Sequence, residues 1–170
     1  MVLKAEQKLA PQYISLDLLS ITDIPFYNFD LRINFYPESV KKLCKSIKRS
    51  DTFNIITSEY KYFILGALIN KIDFLSKHPE KLEHKKAVWI MSESPSLQAD
   101  VYAQYNLRQI LVAVNAMTMN VHKVFITQVN SKFDKAGNLI DEKTLESLII
   151  FNGVSAIRGN ILKNNIALYY

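Results

Sequence analysis

The sequence predicts an α/β fold in which a parallel sheet is covered by helices on both faces. Three observations lead there. Short apolar runs alternate with helix-period patterns along the chain, and those runs are nearly continuous in apolar residues. The 170 residues, 49% apolar and 22% charged, suit one domain with a single core. Sheets of this kind take ligands beyond the carboxyl ends of their strands, beside the point where strand order reverses.

The elements follow in order. "YISLDLL" (13–19) is predicted as a strand, followed by a loop rich in aromatics. "SVKKLCKSIKRS" is a helix beginning near Pro37 and Glu38, because Val40, Leu43, Cys44 and Ile47 fall at i, i+3, i+4 and i+7. "TFNIIT" (52–57) is a buried strand, β-branched and aromatic in content. "GALINKIDFLS" is a helix with Leu68, Ile72 and Leu75 on one face. "AVWIMS" (87–92) is a second short buried strand. "ADVYAQYNLRQILVAVNA" (99–116) is a helix apolar on most sides, expected to pack on two neighbours. "TMNVHKVFIT" (118–127) is a further strand, and "KFDKAGNLIDEK" a small hairpin turning at Gly137. "DEKTLESLIIF" opens a final helix capped by Asp141, with Leu145, Leu148 and Ile149 inward. Beyond it no firm pattern appears, so the expected domain is 1–152 with a tail of 153–170. The terminal "NIALYY" is apolar enough for a strand, but a late strand needs a long crossover and is not expected.

Composition narrows the partners. The net charge of +5 raises a nucleic-acid reading, but the densest basic run places Lys41, Lys42, Lys45, Lys48 and Arg49 on the outer face of an amphipathic helix. No aromatic is interleaved with those charges, so a solvated face is expected and a nucleic-acid partner is not. "YFILGALI" is interrupted by Asn70, Lys71 and Asp73, too soon to span a bilayer. Charges recur through "MVLKAEQKLAPQ", which does not read as a secretory signal, and a cytoplasmic location is expected. Cys44, the sole cysteine, allows no internal disulfide and reads as a small buried hydrophobe.

Catalytic motifs are scarce. His78, His84 and His122 lie far apart without metal-ligand spacing, so no metal site is expected. There is no G-x-S-x-G turn, and Ser92, Ser94 and Ser96 have no histidine close in sequence. The four glycines form neither a Walker loop nor a G-x-G-x-x-G turn. Two loops at strand carboxyl ends remain, 58–66 and "SESPSLQ" (92–98). In the first, Tyr60 and Tyr62 offer planar rings, Gly66 lets backbone come close to a flat ligand, and the following helix directs free N–H groups there. On spacing alone, local packing and a ligand seat both remain open.

The stretch "TSEYKYFILGALINKIDFLSK" (57–77) resembles the signature loop and helix of the NAD(P)H-dependent FMN reductase family, which includes quinone, azo-dye and chromate reductases. Glu59, Tyr60, Gly66, Leu68, Asn70, Asp73, Leu75 and Ser76 stand in the family's register. "LDLLSITDIPFYNFDL", "YNLRQILVAVNA" and "KFDKAGNLIDEKTLESL" resemble further family segments in the family's order, so the likeness runs from about residue 5 to about residue 150. The resemblance implies a flavodoxin-like doubly wound parallel sheet and an enzyme that passes electrons from NAD(P)H through FMN to a quinone or similar small-molecule acceptor. It implies that Ser58, Glu59, Tyr60, Lys61 and Tyr62 flank the flavin, that Gly66 gives clearance, and that the loop from Ser92 through Glu93 and Ser94 to Gln98 lines the other side. No side chain need act as acid or base, since the cofactor carries the reaction. A homodimer or homotetramer is implied as well.

The chain also departs from the pattern. Family members begin with a strand and a Gly-Ser-x-Arg-x-x-Ser-x-Asn turn that holds the FMN phosphate. Met1 falls partway along the helix after that turn, so the sheet is expected to be incomplete, with its first strand missing. Ser92, Glu93 and Ser94 stand where relatives carry Gly-Ala-Ser, and Tyr102 where an arginine is common. The second reading is therefore a degenerate flavodoxin-like protein that no longer binds FMN tightly and acts as an interaction module.

Overall fold

The computed structural model describes residues 1–34, 36–80, 86–98 and 100–165, with the side chains of 32–34 and 160–165 left out. Its helices are α1 (Val2–Lys8), α2 (Phe29–Asn34), α3 (Glu38–Arg49), α4 (Gly66–Ser76), α5 (Val101–Ala113) and α6 (Glu142–Asn165). Its strands are β1 (Thr52–Thr57), β2 (Glu59–Tyr60), β3 (Phe63–Ile64), β4 (Ala87–Glu93), β5 (Met117–Thr118) and β6 (Val124–Ile126). In the main sheet β4 is central, pairing in parallel with all six residues of β1 and with β5 and β6 on its other side. Where one strand was expected over 118–127, β5 and β6 pair with opposite ends of β4, interrupted by a bend in which His122 is left-handed (φ 58°).

β4 shows why its apolar run is continuous. Its side chains alternate between two covered faces. Trp89 and Met91 pack with Val2 and Ala5 of α1 and Leu148 and Phe151 of α6, and the Trp89 and Phe151 rings meet edge to face at 5.8 Å. Val88 and Ile90 pack on the opposite face with Ile72 of α4 and Ala103, Leu107 and Leu111 of α5. The predicted stripe of α3 is buried as expected, yet Val40, Leu43, Cys44 and Ile47 meet Phe74 and Leu75 of α4 rather than any strand residue. Lys86 closes the carboxyl end of α3, its ammonium donating to the carbonyls of Ile47 and Ser50.

Several expectations are corrected. Residues 13–19 form no strand: Tyr13, Leu18 and Leu19 are exposed, and the Leu16 carbonyl accepts a hydrogen bond from Gln7 Nε2 at 2.7 Å. No described strand lies beside this segment to satisfy a ladder of backbone groups. β1 is correspondingly an edge, and Thr52–Ile56 are half-buried, with Thr57 alone fully covered. α5 packs on two neighbours as expected, the β2–β3 hairpin and the strands β4 and β5, but it is not covered all round, since Tyr102, Tyr105 and Val112 are exposed. The Gly137 hairpin is present, with an antiparallel bridge between Phe133 and Leu139. Asp141 caps α6, accepting from the Thr144 N–H at 2.9 Å and its hydroxyl at 2.6 Å. These bonds, with that from Lys132, hold the Asp141 carboxyl down at about 2. Ile149 faces outward, contrary to expectation, while Thr144, Leu148, Phe151, Asn152 and Ser155 face in. α6 runs through the unpatterned stretch after 152, and its Gly159 crosses so close to β1 that an added Cβ would stand 2.9 Å from Thr52 Cγ2. Of the terminal "NIALYY", residues 166–170 lie outside the described residues.

Candidate functional site

The segment leaving β1 reverses at once. β2 and β3 form a two-rung antiparallel hairpin whose turn residues, Lys61 (φ 49°) and Tyr62 (φ 63°), are both left-handed. Consecutive left-handed residues suit the twist of a tight hairpin, but glycine or asparagine is the usual occupant. The hairpin buries Ile64 and leaves Tyr60 and Tyr62 exposed, 66% and 70% respectively. Apolar rings are thus held out at the carboxyl edge of the sheet. Sequence reading had foreseen a loop there, not a hairpin.

The hairpin is fastened to α5. Glu59 Oε2 accepts the Ala103 N–H at 3.1 Å, in the first turn of that helix. In return, Asp100 Oδ2 accepts the Glu59 N–H at 3.0 Å. Farther along, Asn106 Nδ2 donates to the Tyr62 carbonyl at 2.9 Å, and the Tyr62 and Tyr102 rings meet edge to face at 5.6 Å. Ser58 is half-buried, its carbonyl accepting from the Thr57 hydroxyl. Gly66 opens α4 with nothing within 4 Å of where a Cβ would stand, so no contact inside the chain demands a glycine there.

The loop after β4 meets the same region from the other side. Ser92 is wholly buried and hydrogen-bonded by Gln104 Nε2 at 3.1 Å, which places its side chain beneath the surface rather than on it. Gln104 also donates to the Val124 carbonyl at 2.9 Å, tying α5 to β4 and β6 together. The Ser94 and Ser96 hydroxyls share a hydrogen bond of 2.9 Å, and Ser94 also bonds the side chain of Asp100. Burial raises the pKa of Glu93, with the Asp100 charge adding to it; burial likewise raises Asp100, with Glu59 as the repelling neighbour. Three carboxyl groups, Glu59, Glu93 and Asp100, thus share this corner, with the N-terminal ammonium opposing the rise at Glu93. The corner suits an uncharged ring better than a phosphate.

Asp100, Gln104 and Asn106 are not among the residues the sequence pattern points to; Asn70 is, through the family register, but its contacts are not. Asp100 carried a usable signal, a residue of capping type immediately before a helix, although its side chain makes no cap hydrogen bond and its conformation is left-handed (φ 50°). Asn70 accepts from the Tyr27 N–H at 2.6 Å and donates to the Pro25 carbonyl at 2.8 Å, binding the aromatic loop to α4. Nothing in the spacing of these residues announces either contact. A shallow groove lined by Tyr36, Lys41, Lys45, Lys48 and His78 lies away from the hairpin, beyond the opposite end of α4. Among the described residues no helix is long and apolar enough to cross a membrane.

A parallel sheet with helices on both faces and loops gathered at the carboxyl ends of its strands is the flavodoxin-like arrangement. The family model for NADPH-dependent FMN reductase matches residues 1–131, and the chain belongs to that family. It is 36% identical over 151 residues to a quinone reductase of Escherichia coli, covering 87% of this chain and 80% of the relative. It is 34% identical over 138 residues to an NAD(P)H-dependent FMN reductase of Pseudomonas aeruginosa, covering 81% and 75%. Among solved structures it is similar to FerB, a flavoenzyme NAD(P)H:(acceptor) oxidoreductase from Paracoccus denitrificans. That match has a TM-score of 0.81 at 29% identity, covering 96% of this chain and 88% of the other. The flavodoxin-like fold and the enzyme class expected from the sequence are borne out, with FMN and NAD(P)H as the cofactors of the class.

Proposed function

We propose that the hairpin 59–64 is the seat of the isoalloxazine ring of FMN, and that electrons from NAD(P)H leave it for a quinone. The observation carrying this reading is the pair of exposed tyrosine rings held at the carboxyl edge of the sheet by a strained turn. Tyr60, Tyr62 and Phe63 are exposed together on this one hairpin, and apolar surface grouped in this way calls for an occupant. The residues fit the ring portion of the cofactor. Tyr60 and Tyr62 supply planar surface, Lys61 and the Ser58 backbone supply polar edges, and Gly66 leaves open space beside them. Ser94 would line the far side, with Glu93 behind it and Ser92 supporting the loop from below.

When bound, FMN supplies the hydride chemistry; the chain binds the ring, orients it and keeps water from one face. Glu59, whose carboxylate is engaged by α5, acts in placement rather than proton transfer. The same reading takes the protein as a cytoplasmic enzyme, drawing on the NAD(P)H supply there, within one domain over 1–152 and a tail of 153–170. It also takes the molecule as a homodimer or homotetramer, which would cover exposed Tyr102, Tyr105 and Val112 of α5.

Titration of FMN into the purified chain, read by quenching of flavin fluorescence, tests the seat. Saturable quenching at micromolar FMN, with NAD(P)H oxidation that depends on added quinone, is the expected result. Absence of quenching removes the enzyme reading and leaves the interaction module.

A further inference from the structure

Two consecutive left-handed residues suit a tight hairpin, but that backbone is unfavourable for lysine and tyrosine, which stand where glycine or asparagine is usual. The β2–β3 ladder has only two rungs, too short to hold that turn by itself. What holds it comes from α5: Ala103 N–H on the Glu59 carboxylate, Asp100 carboxylate on the Glu59 N–H, Asn106 on the Tyr62 carbonyl, and Tyr102 against the Tyr62 ring. Glu59 is the residue common to both of the bonds that fix the base of the hairpin. Its carboxylate takes an N–H in the first turn of a helix of 13 residues, where the helix dipole favours negative charge.

We propose that Glu59 is a positioning residue for the flavin seat, a deepening that rests on the proposed function. Its carboxylate, docked on the first turn of α5, locks Tyr60–Tyr62 in the strained turn. The loop after β1 and the N-terminal turn of α5 after β4 therefore form one rigid frame before any ligand arrives. The acidic group at this corner is consumed in holding the frame. An alanine there frees the Ala103 N–H and lets the turn relax toward commoner backbone angles. A glutamine keeps an oxygen for that N–H without the charge.

The test compares Glu59→Ala and Glu59→Gln with the unaltered chain, by amide hydrogen exchange without ligand and by FMN affinity from fluorescence quenching. For Glu59→Ala, exchange of the 59–64 and Ala103 amides is expected to speed up, and the FMN dissociation constant to rise by about tenfold, the order expected for one lost charge-assisted hydrogen bond. Protection in the central strand β4 should be unchanged. Glu59→Gln should restore most of both effects. If Glu59→Ala exchanges and binds like the unaltered chain, the proposal is overturned. If it exchanges faster yet binds FMN equally well, the frame exists but does not position the flavin, and the proposal is again overturned. If the unaltered chain binds no FMN, the proposed function fails and carries this inference with it, an outcome distinct from the other two.

Discussion

Glu6 offers a quantitative test of how this core is assembled. It lies on α1 with 2% of its surface exposed, accepting a hydrogen bond from Asn54 Nδ2 of β1 at 2.5 Å. Its backbone carbonyl accepts from Asn152 Nδ2 of α6 at 3.1 Å, so three elements meet at this residue. Burial pushes its pKa from the ordinary 4.5 up to about 7, against the opposing pull of the Asn54 hydrogen bond. The native state therefore keeps a proton that the unfolded chain gives up. Between pH 4.5 and pH 7 the native state binds more protons than the unfolded one, and stability falls as pH rises through that window. Above pH 7 the penalty is complete. At about 1.4 kcal/mol for each pKa unit, it comes to about 3 kcal/mol.

Glu6→Gln removes the charge and retains an oxygen for Asn54. Its new amide N–H groups, left without partners, return about 1 kcal/mol of that gain. The variant should thus be more stable than the unaltered chain by about 2 kcal/mol at pH 8, and equal or slightly less stable at pH 4.5. Urea unfolding at both pH values, read by circular dichroism, gives the difference directly. Since every other group titrates alike in the two proteins, the difference isolates Glu6. An equal shift of the urea midpoint at pH 4.5 and pH 8 would refute the burial argument.

Lys71 is the mirror case. It is 3% exposed on α4, its ammonium has no hydrogen-bond partner among the described residues, and burial lowers its pKa to about 8. Its cost is present below pH 8 and is relieved as pH rises from 8 toward 10.5; Lys71→Met should raise stability at pH 7 by about 1–2 kcal/mol in urea unfolding, and a loss would show an ion partner. Gly159→Ala places a methyl 2.9 Å from Thr52 Cγ2, a clash of about 1–2 kcal/mol that offsets the helix-propensity gain of about 1 kcal/mol, so the double variant adding Thr52→Ser should be more stable than Gly159→Ala by about 1 kcal/mol or more. Thermal melts check this, and a double variant no more stable than Gly159→Ala would show that α6 does not crowd β1.

Much of the fold could be read from residue order, because its signals are local. The stripe Val40, Leu43, Cys44 and Ile47 recurs at the period of one helix turn, and all four residues are buried. The run at 87–92 is apolar without alternation because both faces of β4 are covered, and Asp141 announces its cap by standing three residues before Thr144. The stretch at 13–19 carried an equally good strand pattern and failed. A strand requires a neighbour for its backbone groups, and no count of residues along one segment reveals whether that neighbour is there.

The site divides in the same way. Tyr60, Tyr62, Gly66 and the family register of Glu59 were legible, because aromatics and a glycine on the turn between a strand and a helix stand out in a linear reading. The left-handed turn at Lys61 and Tyr62, the reciprocal bonds between Glu59 and the start of α5, and the burial of Ser92 under Gln104 were not. The contacts that hold the site and its surroundings join residues distant in the chain: Glu59 to Ala103, Tyr62 to Asn106, Asn70 to Tyr27. Sequence by itself determined which groups are available and on which face of its own element each lies. Only the docking of the elements, α5 on the β2–β3 hairpin and the aromatic loop on α4, decided which of them meet. Hydrogen bonds act over about 3 Å, and that proximity is created when the elements dock rather than when they form.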